Sequence, residues 1–353
     1  MEPLATMNET VSLKQKAIRH LERHHSELYG FWMGSNAIPQ VSLEAHCDLV
    51  YSLFLLGSVN EIHPSAVTAF GDYARALHLP CYGESGPATV SVHNCAYLFG
   101  ALNLLRRDGE PHPLAAVVDV RKLSLQGLVD PATQLPLFPA KWTHHNWRVS
   151  HWLGGIPSLL LSLERSGMGL PSDFDGISGK VRSVLSALVD NQTGLIRAYK
   201  SQAVQRLFRI AYGLRHDPDL GDLGGIAHIL WVDHALGRRY TAPDNLLSLA
   251  TDQFLSRAPF MEKVPYCLDF DIVQIVRTAA EQLGVENEAS RQRARAMMGA
   301  IDDFFDNPSS TYTLHKLPGA LATYHECALL CGEGITWLES GQPVDIIQHA
   351  NWL

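Results

Sequence analysis

Basic charge is scarce in this sequence. Lys and Arg total 28 against 36 Asp and Glu, a formal net charge of −8, and charged residues fill only 18% of the 353 positions. Proteins that grip a phosphate backbone use clustered Lys and Arg. No stretch is read here as concentrating them on one face, so a nucleic-acid partner is not expected. Nothing approaches the roughly 18 to 20 consecutive apolar residues that cross a bilayer, and Met1 to Ile18 holds no apolar core behind a basic start. The expectation is a cytoplasmic protein without a membrane span.

Sustained alternation of apolar and polar residues is missing too, which disfavours sheets. The chain has no C-x-x-C, H-E-x-x-H, G-x-x-x-x-G-K-[ST], strand-linked G-x-G-x-x-G or G-x-S-x-G. Nucleotide chemistry is therefore disfavoured, and neither a cofactor nor a metal is expected. Of six cysteines only Cys327 and Cys331 are close in sequence, and most lie in apolar helical patterns, which suits reduced thiols.

What the chain does have is a repeat. LVDPATQL at Leu128–Leu135 returns as LVDNQTGL at Leu188–Leu195, and LGGIPSLLLSLERSG at Leu153–Gly167 returns as LGGIAHILWVDHALG at Leu223–Gly237. Similar apolar stretches end at Gly57, Gly109, Gly284 and Gly332, each suited to a helix closed by glycine. Between them lie amphipathic segments with 3.6 periodicity: Ser12–Leu28, Pro64–Leu79, Leu114–Leu128, Asp173–Val189, Ala242–Arg257 and Glu286–Phe305. The chain thus alternates amphipathic and apolar helices, twelve in all. A helix apolar around most of its circumference must be enclosed by protein. The expected fold is all-α: an (α/α)6 barrel of six helical hairpins, apolar helices inside and amphipathic ones outside, in one domain over residues 1–353.

This pattern resembles the α/α toroids, a group that includes six-hairpin glycosidases, polysaccharide lyases and sugar epimerases and, on a related toroid, terpenoid cyclases. The resemblance spans Ser12 to Gly332 and rests on repeat shape and the LGGI helices. It implies an active site in the barrel mouth, where the first turns of the inner helices converge.

Polar side chains gather at those helix starts. The first repeat offers Glu44, His46 and Asp48, the second His93 and Asn94, the sixth His315. The third carries WTHHNWRVSHW, in which His144, Trp147, Arg148 and His151 fall on one helical stripe, with His145 and Trp152 beside it. Arg can fork onto a carboxylate, and Trp offers a flat face to a sugar ring or hydrocarbon. The fifth, PYCLDFDIVQ, sets Tyr266, Asp269 and Asp271 at the head of an apolar helix. Carboxylates there need pairing, hydration or a raised pKa, and the last suits a general acid. The same stretch resembles the D-x-D-D acid motif of terpenoid cyclases, with Ile272 where the final Asp would stand.

The functional expectation is an enzyme on a small-molecule substrate, a carbohydrate or sugar acid, by hydrolase, lyase or epimerase chemistry. Asp269, Asp271, His144, His151 and Glu44 are its expected catalytic residues, and Trp147, Arg148, His145, Trp152, His93, His46, Tyr266 and His315 bind the substrate. The alternatives are a proton-initiated cyclase or isomerase of an isoprenoid, and a toroid that only binds.

Overall fold

The computed structural model describes residues 11–35, 38–82, 90–125, 145–196, 201–211, 218–256, 266–308 and 312–353, without the side chains of 145–148, 202, 205, 206, 208, 209, 218–220 and 266. Among these the fold is all-α, and β pairing is limited to two isolated bridges, Tyr82 with Leu123 and Val189 with Ile196. The helices are α1 (Leu13–His24), α2 (Ser26–Trp32), α3 (Leu43–Leu55), α4 (Pro64–Arg75), α5 (Val92–Leu104), α6 (Pro113–Val117), α7 (His145–Arg165) and α8 (Phe174–Leu188). They continue as α9 (Gln202–Ala211), α10 (Pro218–Ala235), α11 (Pro243–Ser256), α12 (Tyr266–Leu283), α13 (Glu288–Phe304), α14 (Leu317–Cys331) and α15 (Ile346–Ala350).

Local chemistry sets these bounds. Ser42 and Ser91 cap α3 and α5 by accepting from the backbone N–H groups of Ala45 and Asn94, which fixes where each first turn begins. All six glycines that mark the repeat have φ between 65° and 80°, a left-handed conformation in which a side chain is strained. Gly57, Gly237, Gly284 and Gly332 each stand just past a helix, and the following N–H reaches back five residues, as from Ser58 to the Leu53 carbonyl at 2.7 Å. Gly109 differs from expectation: α5 stops at Leu104, and Gly109 turns the loop beyond it.

The apolar helices α3, α5, α7, α10, α12 and α14 pack in succession, each on the next, and α14 also packs on α3. The LGGI segments make the closest of these contacts. A Cβ on Gly154 would lie 2.4 Å from the His228 carbonyl oxygen, one on Gly155 would lie 2.9 Å from Val92, and one on Gly224 would lie 2.2 Å from Leu268. Consecutive glycines thus let α7 approach α10 on one side and α5 on the other.

Amphipathic helices cover this layer, α11 against α12 and α13 against α14. The third is not the helix expected over Leu114–Leu128. It ends at Val117, gives way to extended backbone at Val118 and resumes as a single 3₁₀ turn at Val120–Lys122. The β-branched Val117, Val118 and Val120 disfavour helix, and the Asp119 carboxylate accepts from the Arg121 N–H, starting a new turn. Helices α2, α9 and α15 add to the expected set.

The segment after α14 also has a structural role. The carbonyls of Ala350, Asn351 and Trp352 accept from Asn103, Ser158 and Tyr51. Trp352 is fully buried, its ring 5.6 Å from His93 and 5.1 Å from both His228 and Trp231. The end of the chain therefore fills the space between α3, α5, α7 and α10.

Candidate active site

Next to Trp352 in sequence, Leu353 lines a cavity of about 130 Å³ together with His93, Tyr97, His151, His228, Cys267 and His315. The backbone dictates which side chains arrive there. Glu44 and Asp48 occupy the second and sixth positions of α3, His93 and Tyr97 those of α5, and Cys267 and Asp271 those of α12. Residues four apart share a helix face, so each pair lies on one side of its helix; of the six, His93, Tyr97 and Cys267 line the cavity.

Asp48 is the anchor of this site. It is buried, accepts a 2.8 Å hydrogen bond from the Tyr97 hydroxyl, and lies 3.0 Å from His315 Nδ1. A carboxylate only accepts, so Nδ1 of His315 carries a proton and donates it. Burial works against a charged His315, but the bond to Asp48, its charge and that of Glu44 outweigh burial and raise the imidazole pKa. Glu44 itself accepts from Asn94 Nδ2.

The neighbouring imidazoles are pushed the other way. Burial, reinforced by the charge of His315, lowers His93 to about 4. Burial lowers His228 to about 3 against the opposing hydrogen bond to the Gly224 carbonyl. That 2.9 Å bond places the His228 proton on Nδ1, because a carbonyl only accepts, and leaves Nε2 an acceptor. His151 lies between them, its ring stacked on His93 at 4.2 Å and edge-on to His228 at 4.9 Å. The site therefore pairs one imidazole favoured in its charged form with two held neutral.

Four histidines around one cavity invite a metal, yet among the described residues no group of three or more His, Cys, Asp or Glu is arranged to hold one. Nitrogen lone pairs lie in the ring plane, and the rings of His93 and His151 are stacked only 16° from parallel. Those two lone pairs do not converge.

The acids of α12 lie elsewhere. Asp271 is fully buried one turn below Cys267, does not line the cavity, and has no hydrogen-bond partner on either oxygen among the described residues. Burial first, then the charge of Asp269, raises its pKa well above the carboxylate range. Burial first, then the charges of Asp271 and Asp269, push the Cys267 thiol up. Asp269, at the fourth position of α12, exerts its charge on Arg293 of α13.

His46 holds the equivalent fourth position of α3 and likewise belongs to the framework. Its ring packs among Phe31, Trp32, Phe70 and Tyr73 at 5.3 to 6.1 Å, outside the cavity wall. Trp152 packs on the apolar core and does not line the cavity. His144 lies outside the described residues, as do the side chains of His145, Trp147, Arg148 and Tyr266.

Of the sequence-predicted residues, His93, His151 and His315 thus meet at the cavity, with Glu44 acting on two of them by charge. Sequence reasoning counted Asp48 among the helix-start residues but gave it no role, and gave none to Tyr97 or His228. The signal for the first two was available as i, i+4 pairs with Glu44 and His93. The chain matches no protein-family model, and no curated protein and no solved structure matches it significantly.

Proposed function

We propose that this chain is an enzyme that moves a proton on a small hydroxylated substrate, of the epimerase, isomerase or lyase kind. One observation carries the reading: His315, held by Asp48 with a raised pKa, faces a cavity it shares with neutral His93 and His228. Environments that drive titratable groups apart in pKa are the mark of assigned acid and base roles. His315 gives or takes the proton, and Asp48 fixes its orientation and balances its charge. His93 and His228 bind substrate hydroxyl or carbonyl groups without competing for that proton.

The volume and the carboxylates narrow the class. About 130 Å³ is small beside the roughly 300 to 1,000 Å³ of sites for drug-sized ligands, which disfavours an isoprenoid. A glycosidase needs two carboxyl groups facing one bond about 5 to 9.5 Å apart, and Asp271 is sealed below the cavity. A small carbohydrate or sugar acid undergoing proton transfer at carbon suits the site better than glycoside hydrolysis. The same proposal takes the six apolar helices as the inner ring of a six-hairpin α/α toroid formed as one domain. Their packing in succession, with α14 returning to α3, supports it.

The test is solvent exchange. The full chain is incubated in D2O with aldoses, ketoses, uronic acids and small hydroxy acids, and deuterium at carbon is followed by proton NMR. At least one compound is expected to exchange, with His315→Asn slowing it about 10²- to 10⁴-fold while its melting temperature falls by no more than about 2 to 4 °C. Exchange that survives His315→Asn overturns the reading. Binding of a panel member without exchange supports a binding toroid instead.

A further inference from the structure

Among the described helices none packs extensively along α9. Its apolar side chains face solvent, with Leu207 67%, Ile210 78% and Val204 36% exposed, and Ala203 and Ala211 are exposed as well. At 100° per residue these five positions fall within an arc of about 120°. Gln202, Gln205, Arg206 and Arg209 occupy register positions in a separate arc. The helix is therefore amphipathic with its apolar strip uncovered, where an amphipathic helix ordinarily buries that strip.

Charge identifies what covers it. Between Asn191 and His216 the sequence has five basic residues, Arg197, Lys200, Arg206, Arg209 and Arg215, and no acidic one, in a chain whose net charge is −8. The whole-chain balance conceals this local excess. We propose that α9 is an interfacial anchor that lies on an anionic lipid surface, its Val204, Leu207 and Ile210 strip entering the headgroup boundary and the net positive charge of this stretch of sequence selecting anionic lipid.

Other occupants fit less well. A nucleic acid answers the charge but gives the apolar strip nothing to enter. A second copy of α9 buries the strip but sets two groups of like charges against each other. No helix of the described residues is long and apolar enough to cross a membrane, and α9, at about 15 Å, is suited to lying on one.

The experiment is co-sedimentation of the full chain with phosphatidylcholine vesicles, with and without 30% phosphatidylserine. Binding to the anionic vesicles is expected to be at least tenfold tighter and to weaken at least tenfold from 0.1 to 0.5 M NaCl. The Leu207→Asp/Ile210→Asp variant should lose it with the melting temperature unchanged. Leu207→Ala/Ile210→Ala, which adds no charge, should weaken it and guards against a folding defect in the first variant. Equal binding to both vesicles, binding to neither, or tighter binding to a double-stranded DNA oligomer overturns the proposal. So does a wild-type dimer that the Asp variant converts to monomer in sedimentation velocity.

Discussion

The imidazole of His315 and the carboxylate of Asp48 meet at 3.0 Å although 267 positions separate them in the chain. Because the folded-state pKa of His315 lies above its ordinary 6.5, the bond stabilises the fold fully below pH 6.5. That contribution is lost as pH rises through the raised value. The His315 side chain is 51% exposed, so screening keeps the effect under about 1 kcal/mol. Thermal melts from pH 6 to 9 should show the gap between wild type and His315→Asn shrinking as pH rises. A constant gap would mean that the pair does not titrate as described.

Asp271 makes the opposite kind of prediction. Its pKa is raised on folding, so the unfolded chain ionises first, and stability falls as pH climbs from about 4 toward the folded value. Asp271→Asn keeps the shape and removes the titration. It should stabilise the protein by about 1 to 3 kcal/mol at pH 8 and by less at pH 5. Urea melts at the two pH values measure this, and equal effects at both would show that Asp271 is ionised in the fold.

Two glycine substitutions should differ in sign. A Cβ at Gly154 would meet the His228 carbonyl oxygen and carbon, which are backbone and cannot swing away, whereas a Cβ at Gly179 meets nothing within 4 Å. Gly154→Ala is expected to destabilise by about 1 to 3 kcal/mol, and Gly179→Ala, inside α8, to stabilise by about 0.5 to 1 kcal/mol. Denaturant midpoints that move in the same direction would contradict the packing of α7 on α10.

Arg277 ties α12 to α14 and to the final segment. It donates to Glu326 at 2.6 Å and to Asp345 at 2.8 Å, and Asp345 also meets His234 at 2.6 Å. Glu326 is fully buried, so Arg277→Ala strands a carboxylate and should cost about 3 to 5 kcal/mol. Arg277→Met combined with Glu326→Leu should recover most of that in equilibrium unfolding. A double variant no better than the single would show that the pair itself is stabilising.

The legible parts of this fold were those with local causes. A helix that must end in left-handed backbone writes a glycine into the sequence, and all six marked glycines have positive φ. The truncated third amphipathic helix was missed because its apolar spacing is helical while its β-branched run is not. The site was legible as a region more than as a set of side chains. His46 and His93 look alike at two helix starts, but they hold the fourth and second positions, about 200° apart in phase, and only capping by Ser42 and Ser91 sets that phase. His228 enters the cavity wall from the eleventh position of α10, a depth that depends on how closely glycine lets neighbouring helices approach. The segment after α14 repeats nothing upstream, so nothing in the sequence showed Trp352 filling the interior.

The contact of α14 with α3 brings together parts of the chain that are remote in sequence, as where His325 Nε2 reaches the Leu55 carbonyl across 270 positions. Helices adjacent in sequence close short loops, but this contact closes a loop of 270 positions at once. Loop-closure entropy and high contact order make such a step slow. Stopped-flow refolding should therefore show far-UV circular dichroism recovering before tryptophan fluorescence, and a single phase shared by both probes would show that helices and this contact form together.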